Sequence, residues 1–349
     1  FFDNMQAFNR LYYEMEELFR ETPTARQEED RRKLQDKILH PFLQSETIPL
    51  SFQARLQYWR IYSMYYFAMG DSQGELMANY RLIELMDANE SYALEFPGEY
   101  VSVNARILHL KRHAPEEEFQ EQLTLFLSFP EQLKKSRRDL DVQVLTEARK
   151  TELVRLLDYG RWEEAHALIP DTLATLRRVE RHLDGRQLFL MSYLIALTLF
   201  AVEKSKEALP WVNRMLNEFD DTIHNELYLY ARLLNLCLHF DLGNYSILKY
   251  ESASAQRYLQ RKKRAYRAET CLLRFFSKAA QREEHPELPL RPLLLECHEE
   301  LKGILSDPDE RALLHYLDIC VWLMSRANGE SLKSERARHP GATTLRIFC

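Results

Sequence analysis

Apolar residues recur every three to four positions almost from end to end of this chain, and nowhere do apolar and polar residues alternate over a run bounded by turn signals. Such spacing puts one apolar stripe on each of a succession of helices and leaves no strand to predict. It predicts helix pairs over 52–69 with 73–88, 98–112 with 116–128, 140–159 with 161–178, 187–203 with 205–219, and 223–242 with 244–261. Helices near 3–21 and 26–40 precede these pairs, and segments near 264–280, 291–304 and 309–327 follow. The most apolar stretch, Leu188 to Val202, covers about 15 residues and is interrupted by Ser192 and Thr198. A bilayer-spanning helix needs about 20, so this one is expected to be buried in protein. From Ser331 to Cys349 no period is sustained and Pro340-Gly341 intervenes, so the tail is expected to be disordered or only partly ordered.

The pairs share a local plan. In LLDYGRWEEAHALI, Leu156 to Ile169, Gly160 stands where a first helix must end and reverse, because glycine accepts the positive φ of that turn. Trp162 then fills the space between the two helices, and Ala165 lets them approach. LHFDLGNYSILKY repeats the plan with Gly243 and Tyr245, and with Leu248 at the small position. FAVEKSKEALPWV keeps Ala208 but has Glu203 where the turn glycine would be, and FAMGDSQGELMANY, with Gly70 and Leu76, is a looser copy. A repeated unit of this kind buries its apolar face against its neighbours rather than in one central core.

Gly160, Trp162 and Ala165 together resemble the mid-repeat signature of the tetratricopeptide repeat: a turn glycine, an aromatic two residues on, and an alanine three after that. The resemblance covers roughly residues 50–262. It implies an all-α, right-handed superhelix of antiparallel helix pairs, an α-solenoid, with residues 1–49 as a first pair or cap, 50–262 as repeats, 263–330 as a C-terminal helical cap and 331–349 as the tail. Anchors at Leu76, Phe119, Ala165, Ala208 and Leu248 lie 43, 46, 43 and 40 residues apart, longer than the family's period of about 34. Arg177 stands where the family commonly closes its repeat with proline. The stretch HFDLGNY…RYLQRKKRAYRAE also resembles bacterial repeat proteins, a likeness that implies no activity.

In such a superhelix the first helix of each pair lines the inner face, which makes polar stripes on first helices informative: a polar group buried without a hydrogen bond costs about 1–3 kcal/mol. Gln53, Gln57 and Arg60 form one stripe, Ser102, Arg106 and His109 a second that runs on to His113, and Arg232, Asn235 and His239 a third. These nine residues are expected to converge on a groove for a protein or peptide segment carrying acidic or carbonyl groups, since a guanidinium grips a carboxylate with two parallel bonds.

Composition narrows the chemistry. Lys and Arg number 47 against 53 Asp and Glu, a formal net charge of −6 that offers no global attraction to nucleic acid or acidic lipid. Any anion site must be local, and the visible candidate is RYLQRKKRAYR, in which Arg257, Arg261, Lys262, Lys263, Arg264 and Arg267 surround Tyr258 and Tyr266. Nucleic-acid binders set cations against phosphate and rings against bases, so a nucleic-acid-associated regulator is the second reading; a solvated helix face has the same look. The five cysteines lie more than twenty residues apart, without a C-x-x-C pair, which argues against a zinc ribbon or a thioredoxin-like motif and suits a reducing, cytoplasmic setting. The N-terminal segment lacks the basic start and apolar core of a signal peptide. His109 and His113 share a helix face, but Leu110, Lys111 and Arg112 between them break the H-E-x-x-H pattern and repel a cation, so no metal is expected. Cys297, His298 and Glu299 are consecutive and point to different sides of a helix. No nucleophile elbow, Walker loop or dinucleotide cradle occurs, so neither cofactor nor catalysis is expected, and an enzyme with an unrecognised site is the third reading. The aromatic run Tyr58, Trp59, Tyr62, Tyr65, Tyr66 and Phe67 wraps round its helix as core residues do.

Overall fold

The computed structural model describes residues 2–21, 24–89, 91–132, 138–220, 225–262, 266–338 and Leu345. Among the described residues there are helices, turns and loops and no strand. The chain packs as two compact units, Phe1–Thr151 and Glu152–Cys349. The division therefore falls inside the stretch expected to be one run of repeats, 50–262, rather than at its ends.

The first unit contains α1 (Phe2–Glu21), α2 (Glu28–Ile38), α3 (Phe52–Met69), α4 (Ser72–Asp87), α5 (Tyr92–Glu95), α6 (Pro97–Leu110), α7 (Glu116–Leu127), α8 (Phe129–Gln132) and the greater part of α9 (Arg138–Asp158). Helix starts follow local chemistry: the Ser51 hydroxyl accepts from the Ala54 N–H at 3.1 Å, and the Asp71 carboxylate accepts from the Gly74 N–H at 2.9 Å. One core joins Phe8, Leu11 and Met15 of α1 to Leu34 of α2 and Ala54, Tyr58 and Ile61 of α3. Another joins Val101 and Leu108 of α6 to Phe119, Leu123 and Phe126 of α7 and Leu140 and Val144 of α9. Gly74 lets α3 and α4 approach: a Cβ there would lie 2.5 Å from the Tyr66 ring.

The second unit contains α10 (Trp162–Ala167), α11 (Ile169–Val179), α12 (Gly185–Ala201), α13 (Ser205–Glu218), α14 (Asn225–Asp241), α15 (Tyr245–Lys262), α16 (Arg267–Ala279), α17 (Leu290–Ile304), α18 (Ile319–Asn328) and α19 (Leu332–Arg338). From α12 to α18 successive helices pack chiefly on one another, and α12 also meets α10 and α14. Every residue of α12 from Phe189 to Ala201 is buried, as its apolar run requires.

One turn recurs. At Gly70, Gly160, Glu203 and Gly243 the backbone has φ of 76°, 68°, 61° and 70°. At each, the turn residue's N–H donates to the carbonyl three residues back and the next N–H to the carbonyl five residues before it, as Arg161 does to Leu156 and Lys204 to Leu199, both at 2.8 Å. This doubly bonded αL ending satisfies the last carbonyls of α3, α9, α12 and α14. Glu203 adopts it without being glycine, at a cost on the order of 1 kcal/mol. Its carboxylate is held by Arg326 Nη1 at 2.7 Å. Trp162 and Ala165 are buried behind the Gly160 turn, Ala208 is buried behind Glu203, and Tyr245 sets its ring edge against Phe240.

Two expectations need correction, and a third gains detail. The helix expected over 161–178 is two helices that meet at Leu168, because Pro170 in the first turn of α11 has no N–H to continue the ladder. The segment 309–327 is a 3-10 turn, Glu310–His315, followed by α18, which begins where the Asp318 carboxylate accepts from the Val321 N–H at 3.4 Å. In the stretch from 331, expected to be disordered or only partly ordered, the ordered part is α19: Leu332 and Glu335 are buried there, and Arg336 donates to Asp318 at 2.5 Å.

Candidate partner-binding face

Polar side chains of the first unit form a ladder across successive helices. Gln57 of α3 donates to Asn9 Oδ1 of α1 at 3.2 Å and accepts from Arg60 at 3.5 Å. Arg60 pairs with Glu99 of α6, whose carboxylate also accepts from the Tyr92 hydroxyl at 2.5 Å. Farther along, Gln143 of α9 donates to the Ser102 hydroxyl at 2.7 Å and to the Gly98 carbonyl at 3.1 Å. Gln53 is half-buried at the start of α3, one turn before Gln57. The ladder is open to solvent at its outer members, since the Glu99 side chain is 46% exposed and Ser102 is exposed, while Gln57 and Tyr92 are buried. Arg106 turns away from it: it pairs with the buried Glu75 of α4 and sits over the Phe67 ring at 4.6 Å. His109 is buried, and burial, together with Arg112, Arg106, Lys150 and His113, holds its imidazole well below the usual range. Three of the six residues expected on this side, Gln53, Arg60 and Ser102, thus reach the open face, while Gln57, Arg106 and His109 support it from beneath.

The second unit treats its third stripe differently. Arg232 of α14 lies against the Tyr228 and Tyr258 rings, at 5.1 and 5.3 Å, and donates to the Ser254 hydroxyl of α15 at 3.3 Å. Asn235 is buried beside it, and His239 Nδ1 is 3.2 Å from the Asn244 amide, its pKa lowered by burial. This stripe occupies the α15 side of α14. Tyr230, Cys237 and Asp241 lie about half a helical turn away, and that side is covered by the chain's own C-terminal segment. Tyr316 stacks on Tyr230 with ring centroids 4.0 Å apart, and its carbonyl accepts from the Tyr193 hydroxyl of α12 at 2.9 Å. Arg326 of α18 grips Asp241 through two bonds of 2.7 and 2.9 Å, and the Trp322 indole donates to the same carboxylate at 3.1 Å. Glu310 accepts from the N–H groups of Arg267 and Ala268, each at 3.1 Å, and so caps α16. Arg232, Asn235 and His239 therefore do not line an open groove in this unit, because long polar side chains in a helix seam bond the neighbouring helix before they can reach solvent.

The basic segment is also rearranged by packing. Arg257 and Arg261 are exposed on α15, and Arg267 is exposed but pairs with Asp307 at 2.6 Å and Glu310 at 3.3 Å. Tyr258 is buried, with Arg261 5.9 Å from its ring centroid, so it has no free face for a base. The side chain of Lys262, with Lys263 and Arg264, lies outside the described residues. Among those described, no three His, Cys, Asp or Glu side chains cluster as metal ligands do. His298 meets Glu299 at 3.4 Å while Cys297 turns inward to Cys271. No helix among the described residues is long and apolar enough to cross a membrane.

Two constellations escaped the pattern-based reading. Asp241 and Arg326 are 85 residues apart, and Cys271 and Cys297 are 26 apart. No sequence signal points to either: Asp241 stands two residues before the Gly243 turn just as Asp158 does before Gly160. The chain matches no protein-family model, no curated protein and no solved structure, so the two contrasting helix faces are what a functional reading has to rest on.

Proposed function

We propose that the chain is a helical-repeat interaction protein of the tetratricopeptide type, a right-handed superhelix of antiparallel pairs that binds a protein or peptide and performs no chemistry of its own. The repeat part of this reading is supported by the doubly bonded αL turn that closes α3, α9, α12 and α14. It is supported also by the helices from α12 to α18 packing mainly on their neighbours in sequence, the habit of stacked hairpins.

The observation that carries the binding part is the Arg60–Glu99 ion pair between α3 and α6, which solvent reaches at Glu99 and which the buried Gln57 and Tyr92 hold from below. An ion pair at a surface is worth about 0–1 kcal/mol. A carboxylate of an incoming segment can therefore take the place of Glu99 on Arg60 at little cost, while Ser102 and Gln143 offer hydroxyl and amide groups to its backbone. The ligand that fits is an extended or helical segment with an acidic residue flanked by free carbonyl groups.

Affinity capture with the wild-type chain and with Arg60→Glu, each treated with nuclease, tests this reading. A set of proteins lost from the Arg60→Glu capture, and insensitive to nuclease, is the expected result. Identical sets from both proteins would reject the face. Complexes that vanish with nuclease and depend on Arg257 and Arg261 would favour the nucleic-acid reading instead.

A further inference from the structure

Cys271 of α16 and Cys297 of α17 face each other across the seam between their helices, with Sγ atoms 4.0 Å apart. Both side chains are almost wholly buried, and they form the floor of a shallow cleft rimmed by Arg274, Lys278, Glu296 and Glu300. The rim is itself cross-linked, since Arg274 pairs with Glu300 and Lys278 with Glu296 at 2.8 Å. Two helices tied at these points hold the sulfurs in register rather than leaving their meeting to chance. A disulfide needs a separation of about 2.05 Å, so side-chain rotation with a small closing of the seam is enough to join them.

We infer that Cys271 and Cys297 are a paired oxidation site, at which a hydroperoxide small enough to enter the cleft produces an intramolecular disulfide between α16 and α17. The Cys271 thiolate attacks the peroxide oxygen; the O–O bond breaks, the sulfur becomes a sulfenic acid, and the leaving alkoxide or hydroxide takes up a proton. The Cys297 sulfur then attacks the sulfenic sulfur, the S–O bond breaks and water leaves. In total two thiols and one hydroperoxide give one disulfide, one alcohol or water from the peroxide and one further water, the two sulfurs each losing one electron. Roles follow from surroundings. A hydrogen bond from Cys297, with the Arg274 guanidinium nearby, holds the Cys271 thiol below its usual range, whereas that bond and burial push Cys297 up. Burial pushes the Cys320 thiol up to about 12, and Cys237 is also raised by burial, which sets both apart from the attacking position.

The inference does not depend on what the first unit binds. Its test is peroxide treatment of the folded full chain, followed by alkylation of the remaining thiols in denaturant and peptide mass spectrometry. The expected result is a loss of two hydrogens, a fall from five alkylatable cysteines to three, and one peptide pair joining Cys271 to Cys297, all reversed by a dithiol reductant. Cys320→Ser should give the same link. Cys271→Ala and Cys297→Ala should each give none; should either fail to fold, the wild-type and Cys320→Ser arms still decide. Five alkylatable cysteines after treatment of folded protein, or a link running to Cys320 in place of the 271–297 pair, would overturn it.

Discussion

The two units of this chain use their first helices in opposite ways. In the first, α3 and α6 present an ion-paired, hydrogen-bonded ladder that solvent reaches. In the second, α12 and α14 turn aromatic and buried side chains toward Tyr316, Trp322 and Arg326 of the same chain. Polar residues at helical spacing therefore mean different things in the two places. Arg60 bonds sideways along an open face, whereas Arg232 bonds outward into a helix seam. A stripe alone does not distinguish these cases; what covers it does.

The contrast can be broken most directly at Asp241. Asp241→Ala leaves the Arg326 guanidinium and the Trp322 indole without their shared acceptor, and should cost about 3 kcal/mol, read as a lower midpoint in chemical denaturation. A loss below 1 kcal/mol would mean that the C-terminal segment is held over α14 by other contacts. In the first unit the equivalent stress is steric: Gly74→Ala drives a methyl into the Tyr66 ring and should cost about 2 kcal/mol, and a neutral thermal shift would show that α3 and α4 can separate freely.

Acid sharpens the comparison because each unit buries one histidine of lowered pKa, His109 in the first and His239 in the second. Such a group binds its proton in the unfolded chain at the ordinary pKa of 6.5 but resists it when folded. Stability is accordingly complete above that value and falls as pH drops from it toward the folded pKa, by up to about 1.4 kcal/mol per pH unit for each histidine. His109→Gln should flatten the slope of the first unit and His239→Gln that of the second, as measured by denaturation at a series of pH values. An unchanged slope in both would mean that neither imidazole is held neutral. The smallest effect on stability is expected at Glu99→Gln, under about 1 kcal/mol, because that ion pair lies at the surface. A much larger loss would show that the ladder serves the fold rather than a partner.

Much of the helix order could be read from periodicity, since the α3/α4, α6/α7, α12/α13 and α14/α15 pairs depend on residues three and four apart. Turns were legible for the same reason: Gly160 and Gly243 take the positive φ expected of them, and Glu203 occupies the same conformation at the place where a glycine was missing. The candidate face was legible only by halves. Arg60 and Ser102 reach it, and Glu99 lies one turn before Ser102 on α6, but Tyr92, Asn9 and Gln143, which complete the ladder, belong to other helices and carry no common spacing. Likewise α19 showed no sustained apolar period, because its burial comes from Leu332 and from Arg336 meeting Asp318 rather than from a regular stripe.

By itself, then, the amino-acid sequence determined most of the helices and the turns that close them, which follow from forces acting over one or two helical turns. Tertiary structure alone decided which polar stripe stays open, which is sealed by Trp322 and Arg326, and which two thiols meet. Those outcomes depend on burial and on partners tens of residues distant, and a side chain's neighbours in space cannot be counted along the chain.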